Sequence, residues 1–293
     1  MAVVEFQYTL ERDGPALHLQ FRLDDDQLSQ RMMLEDLREV GRYEPPTTDV
    51  LNLLLKPGDR FIDIGAHVGY FSMLAAALVG ETGQVYSFEP NPKNYQDLIT
   101  HGAMNQFANV MPFNWAVGGK TGAVTFFDNA DNDGGHALWN VGVHPYNEKS
   151  RDQVSRRNVY MTTLDTLFGS ATADFAKVMK IDTEGAEVAV LRGAQSFITR
   201  SQIPAIIAEV NEFGLAQLGS SEDELRAIMK GHGYTTYLLA NSTPFRLGDN
   251  MHYKHLNVYN LLFASPRLQA ELVNLWPQDP PKEILETRPE KRP

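Results

Sequence analysis

Apolar and polar positions alternate one for one in VVEFQYTL and again in ALHLQFRL, on either side of Asp13-Gly14. A period of two marks a half-buried strand, and a polar turn between two such runs predicts a β-hairpin over residues 3 to 23. The period then changes. In DDDQLSQRMMLEDLREV, Leu28, Met32, Leu34 and Leu37 recur at roughly helical spacing behind an acidic first turn, and Gly41 ends the run. That pattern predicts a helix. Hairpin and helix together form an N-terminal extension over residues 1–44.

From residue 46 the pattern becomes regular. Asp49 to Leu55 reads as helix, and Arg60 to Ile64 as a short apolar strand that breaks at Gly65. VGYFSMLAAALVG has helical content up to Gly80, followed by the strand QVYSFE, a helix near 92 to 104 and the strand NVMPFNWAV. After an irregular region come the strand KVMKID, the helix EGAEVAVLRGAQSFI, the strand PAIIAEV and a helix opened by a capping box of Ser221 and Glu224. Two last strands are expected near 234 to 240 and 257 to 264, the second antiparallel. Strands alternating with helices predict an α/β domain over 45–265, a doubly wound and mostly parallel sheet of seven strands covered on both faces. Residues 266–293 read as a loosely attached tail with a short helix at Leu268 to Leu275.

Composition narrows the partners. The chain has 293 residues, 43% of them hydrophobic, enough for one large core. A net charge of −11 argues against nucleic acid or an anionic membrane as partner and favours a neutral or cationic small molecule. There is no cysteine, which removes disulfides and thiolate metal sites. With no uninterrupted apolar span and no leader pattern, the expectation is a cytoplasmic protein. The hairpin and the tail are the candidate contacts for a homodimer.

The stretch FIDIGAHVGYFS places Asp63, Gly65 and Gly69 at the end of the first strand of the domain. A triphosphate loop needs a lysine and a hydroxyl residue after its second glycine, where Tyr70 and Phe71 stand. A dinucleotide turn needs a glycine where the backbone meets pyrophosphate, and His67 stands there. An acidic residue at the strand end suits a ligand with an ammonium and a sulfonium, which is S-adenosylmethionine. Glu89 ends the next strand 20 residues after Gly69, placed to accept from paired ribose hydroxyls. Asn114 and Trp115 on the third strand are placed for the adenine edge and face, although Trp115 serves equally well as core.

KVMKIDTEGAEVAVLRGA, taken with FIDIGAHVGYFS, SFEPNP, NWAVGG and TTLDTL, resembles the FkbM family of S-adenosylmethionine-dependent methyltransferases over roughly residues 44 to 265. The resemblance implies a class I methyltransferase (Rossmann-like) fold and O-methylation of hydroxyls on sugars or natural products. It covers neither the hairpin nor the tail, and it does not name an acceptor.

The residues also speak for themselves. Asp182, Thr183 and Glu184 end one strand, and Glu209 and Asn211 end the next, at the sheet edge where open α/β folds bind ligands. Methyl transfer to a hydroxyl needs alignment and removal of a proton. Three devices are open: a histidine base, His136 or His144; a carboxylate base, Asp182 or Glu184; or a magnesium ion held by Asp182, Glu209 and Asn211. The long insert at 127–160 is the expected substrate lid, offering Trp139 and Tyr146 for stacking and Arg151, Arg156 and Arg157 for an acidic group. Two other classes have less support: an NAD-dependent enzyme lacks its pyrophosphate turn, and a non-catalytic module would not keep Asp63, Gly65, Gly69 and Glu89. Within methyltransferases the alternative is transfer to a carboxylate or an amine, of a peptide or a natural-product intermediate.

Overall fold

A computed structural model of the chain describes residues 3–10, 16–239, 244–254, 258–272 and 285–287. The Asp13-Gly14 turn and most of the predicted tail lie outside them. The two alternating runs pair antiparallel as β1 (Val3–Leu10) and β2 (Leu17–Asp24), in register from Val3 with Asp24 to Leu10 with Leu17. Tyr8, Leu10, Leu19, Phe21 and Leu23 are buried on one face of this hairpin and join the main core. Each such apolar side chain contributes roughly 1.5–3 kcal/mol as an upper estimate. The amphipathic helix α1 (Leu28–Glu39) buries Met33, Leu34 and Leu37, and α2 (Pro45–Leu54) begins at two prolines, whose missing N–H groups cost nothing in a first turn.

The sheet is laid down as β3 (Arg60–Ile64), α3 (Tyr70–Val79), β4 (Gln84–Phe88), α4 (Pro92–Met104) and β5 (Val110–Phe113). The chain then leaves it for a small sheet of β6 (Ala116–Val117), β7 (Gly122–Asp128) and β8 (Ser155–Thr162), with α5 (Glu148–Asp152) between the last two. After α6 (Leu164–Leu167) it returns as β9 (Val178–Ile181), α7 (Glu187–Arg192), α8 (Gln195–Ser201) and β10 (Ala205–Asn211). Then follow α9 (Glu212–Gln217), α10 (Glu222–Gly231), β11 (Thr235–Leu239), β12 (Phe245–Arg246), β13 (Met251–Tyr253) and β14 (Val258–Ala264). Helix α11 (Pro266–Leu272) and β15 (Leu285–Thr287), which pairs with β13, complete the described chain.

The main sheet has the order β12-β11-β14-β10-β9-β3-β4-β5, with β14 antiparallel to both of its neighbours. Side chains alternate across it. Phe61, Val85, Val178 and Ile207 face the core shared with the hairpin, α2 and α3. Ile62, Phe88, Met179 and Ile206 face the core shared with α7, α8 and α10. This is the class I methyltransferase arrangement expected from the sequence, including the antiparallel strand. From β3 the chain winds toward β5 and then recrosses to β9, so the topological switch point lies between β3 and β9. Open α/β sheets bind their ligands at such a point.

Four local expectations change. A two-residue edge strand, β12, makes the sheet eight-stranded. The strand expected over NVMPFNWAV ends at Phe113, and Ala116–Val117 joins the smaller sheet. Pro112 is tolerated because β5 is the edge strand of the main sheet. The helix expected over EGAEVAVLRGAQSFI breaks into α7 and α8 at Gly193, where a side chain would meet the Gly118 carbonyl oxygen at 2.1 Å. The insert is not one loop either, since β7 and β8 pair antiparallel at its two ends.

Candidate active site

The turn after β3 shows why bare backbone is needed there. Gly65 has φ +81°, and a methyl group on it would lie 1.6 Å from the Asp182 carbonyl oxygen. The ends of β3 and β9 therefore approach too closely for any side chain. Gly69 has φ +91° and packs against Leu98, the tip of which a methyl group would meet at 2.3 Å. Between them His67 is held at φ +52°, an uncommon conformation for a residue with a side chain. Two bonds hold it: its N–H donates to Glu89 Oε2 at 2.9 Å, and its Nε2 lies 2.9 Å from Asp133 Oδ2.

A cavity of about 140 Å³ opens over this turn, lined by Gly65, Ala66, His67 and Glu89 and by Asp182 and Glu184 beyond β9. Glu89 is buried, and burial lifts its carboxyl to about 7. Oε2 accepts from His67 N and Oε1 from Asn91 N at 2.7 Å, so each oxygen keeps capacity for one more donor. Asp63 sits behind the turn and is absent from the cavity wall among the described residues. Its Oδ2 accepts from Ser72 Oγ at 2.6 Å, and burial raises its carboxyl to about 6.

The far wall is built from the ends of β9 and β10. Lys180, buried in the centre of the sheet, extends its ammonium to 2.5 Å from Asp182 Oδ2 and 4.7 Å above the Phe71 ring. Burial pulls the lysine down, but the carboxylates of Asp182, Glu44 and Asp63 outweigh it and hold the group charged. Glu184 stands at φ +56°; its carbonyl accepts from Trp139 Nε1 at 2.7 Å and its Oε2 from Asn211 Nδ2 at 2.6 Å. Burial, reinforced by Asp182, lifts the Glu184 carboxyl to about 8. Glu209 also lines the cavity; burial and then Asp182 push it well above the usual carboxylate range, and its Oε2 has no donor among the described residues.

The other sequence candidates fall in different places. His136 lines the cavity, but its Nδ1 accepts from Asn129 N at 2.8 Å, so the neutral ring carries its proton on Nε2. Burial lowers that ring to about 4, which leaves a hydrogen-bond donor in place of a base. His144 packs edge-on against Phe213 at 4.7 Å, outside the cavity wall. Asn114 clamps the carbonyls of Glu89 and Pro90 at 2.8 and 3.1 Å, and Trp115 packs on Phe113 and Tyr160. Neither reaches the wall, where Ala116, Val117, Phe126 and Leu138 supply the apolar surface instead.

Asp182, Glu209 and Asn211 do not assemble as a metal centre. Asn211 caps α9, its Oδ1 accepting from Gly214 N while its amide serves Glu184, and among the described residues no cluster of three metal-ligating side chains forms. In the insert, Trp139 is buried against Phe213 and Arg157 pairs with Asp128, while Tyr146 is exposed. No helix among the described residues is long and apolar enough to cross a membrane. Sequence reasoning missed Lys180 and Glu44; a lysine inside the apolar run VMKI was the visible signal for the first.

Comparison with known proteins adds to this geometry. The chain is 26% identical over 218 residues to 31-O-demethyl-FK506 methyltransferase FkbM of Streptomyces tacrolimicus, covering 68% of this chain and 80% of that protein. It is 24% identical over 186 residues to the hexuronic acid methyltransferase AglP of Haloferax volcanii, covering 62% and 70%. Among solved structures, the methyltransferase FkbM of Methylobacillus flagellatus KT has a TM-score of 0.43 at 14% identity, over 74% of this chain and half the length of that one. Aeropyrum pernix fibrillarin in complex with S-adenosyl-L-methionine has a TM-score of 0.39 at 13% identity, over 76% and 77%. The model of the methyltransferase FkbM domain matches residues 63–236, which contain the glycine turn, Glu89, the insert and the whole carboxylate wall of β9 and β10. With more than half of its length in that match, the chain belongs to the FkbM methyltransferase family.

Proposed function

We propose that this methyltransferase uses S-adenosylmethionine to methylate a hydroxyl of a small molecule, a sugar or a secondary metabolite. The observation that carries the reading is Glu89 at the cavity wall, with one acceptor site left on each oxygen beside a glycine turn. Such a carboxylate fits a ribose diol. The surplus of carboxylates in the same cavity fits a ligand bearing positive charge. His67 and Gly65 shape the turn under the nucleoside, and Glu89 holds the ribose.

When bound, S-adenosylmethionine supplies a methyl on a cationic sulfur; the acceptor oxygen forms the new C–O bond as the C–S bond breaks and its electron pair goes to sulfur. Glu184 takes the hydroxyl proton. A carboxyl lifted to about 8 is a stronger proton acceptor near neutral pH than an ordinary glutamate. Asp182, fixed by Lys180, keeps a negative charge beside it. His136 donates from Nε2 and orients, and a metal has no part in this reading. The names of the two relatives support small-molecule acceptors, one 31-O-demethyl-FK506 and the other a hexuronic acid.

Calorimetric titration with S-adenosylmethionine and S-adenosylhomocysteine tests the cofactor. Micromolar binding, lost in Glu89→Ala, supports it; no binding of either ends it. The observation favouring transfer to an amine instead is the acidic wall itself, and the two readings separate on whether the methylated product is an ether or an alkylamine.

A further inference from the structure

Most of the cavity wall comes from the stretch that matches the family, but Ser29, Met33, Tyr43 and Glu44 precede it. Tyr43 is held from several sides. Its carbonyl accepts from Thr48 Oγ1 at 2.6 Å and its N–H donates to Tyr70 Oη at 3.3 Å, and both of those partners are buried. Its ring stands edge-on to Tyr70 at 5.4 Å, with Phe71 6.1 Å away. The next residue, Glu44, has φ +41°, a conformation that a residue with a side chain keeps only where its surroundings impose it. The ring is thus fixed, yet its hydroxyl has no hydrogen-bond partner among the described residues, and the residue is half-buried in the cavity wall. Burial, then the nearby carboxyls of Glu44, Asp182 and Glu209, push the phenol well above its usual range, so it keeps its proton. Those neighbours place it on the Asp182 side of the cavity.

We propose that Tyr43 orients the acceptor, donating its hydroxyl proton in a hydrogen bond to the oxygen that is methylated. This assignment rests on the function proposed above and deepens it. A hydroxyl oxygen has one proton and two lone pairs. With the proton passing to Glu184 and one lone pair held by Tyr43, the other is left to form the C–O bond as the C–S bond breaks and its electron pair goes to sulfur. Tyr43 keeps its own proton throughout. A neutral amine has a single lone pair, which the same donor would occupy, so Tyr43 selects a hydroxyl over an amine. The choice of acceptor is thereby set in part by a residue that precedes the family domain.

The test compares the full chain with Tyr43→Phe, which keeps the ring and removes the hydroxyl. In crystals of the S-adenosylhomocysteine complex, Tyr43 Oη should stand one acceptor oxygen beyond the site of the transferred methyl, roughly 5–7 Å from sulfur, and touch no atom of the nucleoside. A hydrogen bond to the nucleoside, or a longer distance, overturns the proposal. Methyl transfer to glucuronate and to glucosamine is the second readout, since glucosamine offers a hydroxyl and an amine to the same site. Tyr43→Phe should lower kcat/KM at least about tenfold while S-adenosylhomocysteine affinity stays within about twofold, and should add N-methyl product to the ether made from glucosamine. Unchanged kcat/KM, a loss matched by lost nucleoside affinity, or a glucosamine product that stays wholly ether overturns it. If the unsubstituted protein binds no S-adenosylhomocysteine, the proposed function fails first and this proposal falls with it. If it binds the nucleoside but methylates neither sugar, the distance from Tyr43 to sulfur alone decides.

Discussion

His67 Nε2 lies 2.9 Å from Asp133 Oδ2, a contact that joins the glycine turn to the insert across 66 positions of chain. The same carboxylate accepts from Ser29 N at 2.8 Å and Gln30 Nε2 at 3.0 Å, so one side chain ties turn, insert and α1 together. Burial alone would raise Asp133, but these donors, His67 foremost, hold it below the usual carboxylate range. Asp133→Ala strands three donors, of which Gln30 Nε2 is buried, at a cost of about 1–3 kcal/mol, and Ser29 N and His67 are part-buried and lose less. The expected result is S-adenosylhomocysteine binding weakened at least about tenfold and faster proteolytic cleavage within 129–150. Unchanged binding and cleavage would show that the contact does not hold the site.

The raised carboxyls set a pH dependence of stability. Asp63, Glu89 and Glu184 keep their protons in the fold to about 6, 7 and 8, above their unfolded values. In that window the unfolded chain has already released the protons, so raising the pH favours unfolding. Their contribution is complete below about pH 4 and is lost as the pH climbs through 6 to 8. The melting temperature of the ligand-free protein should fall between pH 6 and pH 8 by on the order of 5 °C. Glu89→Gln should flatten that slope, and a melting temperature that rises over the interval contradicts it.

Glu184 gives a kinetic signature. With its carboxyl at about 8, kcat/KM should climb with pH and level off above that value. Glu184→Gln should lower kcat about 100-fold or more and abolish the climb, with nucleoside affinity nearly unchanged. Asp182→Asn removes a charge that helps to raise Glu184, so it should lower kcat and move the midpoint to lower pH. If the limb survives in Glu184→Gln, the proton goes elsewhere.

Gly65 and Gly69 differ in what a methyl group would strike. At Gly65 it meets backbone, the Asp182 carbonyl, at 1.6 Å; at Gly69 it meets the flexible tip of Leu98 at 2.3 Å. Gly65→Ala should cost more than about 4 kcal/mol and give little folded protein. Gly69→Ala should fold with a smaller loss, because Leu98 can rotate away. Denaturant unfolding of the two variants decides it, and equal losses would mean that strain at positive φ, common to both, outweighs the contacts.

Much of this molecule is legible in its residue pattern. Strand and helix alternation followed from local periodicity, and the glycine turn and Glu89 from spacing along two neighbouring strands. What escaped depends on distant pairing. No local pattern says that the chain leaves the sheet at Phe113, so the pattern alone puts Asn114 and Trp115 at the ligand rim, whereas in the fold they pack beside the cavity without lining its wall. Asn211 was read as a ligand although N-E-F-G carries the signal of a helix cap, realised as Asn211 Oδ1 accepting from Gly214 N. Lys180 is misleading in sequence for another reason: its charge is tolerable inside the sheet because Asp182, two residues on, meets it and Glu44 and Asp63, distant in the chain, add their fields.

The position of β14 has a consequence for how the protein is made. It lies between β10 and β11, yet it follows both in the chain. While the ribosome is still adding residues before Val258, the nascent chain can pair β3, β4, β5, β9 and β10, but β11, paired with the two-residue β12, has no strand that joins it to the main sheet. A message truncated there yields a cofactor half with one open β10 edge and a stranded apolar TTYLL segment, a product suited to aggregation and early disposal.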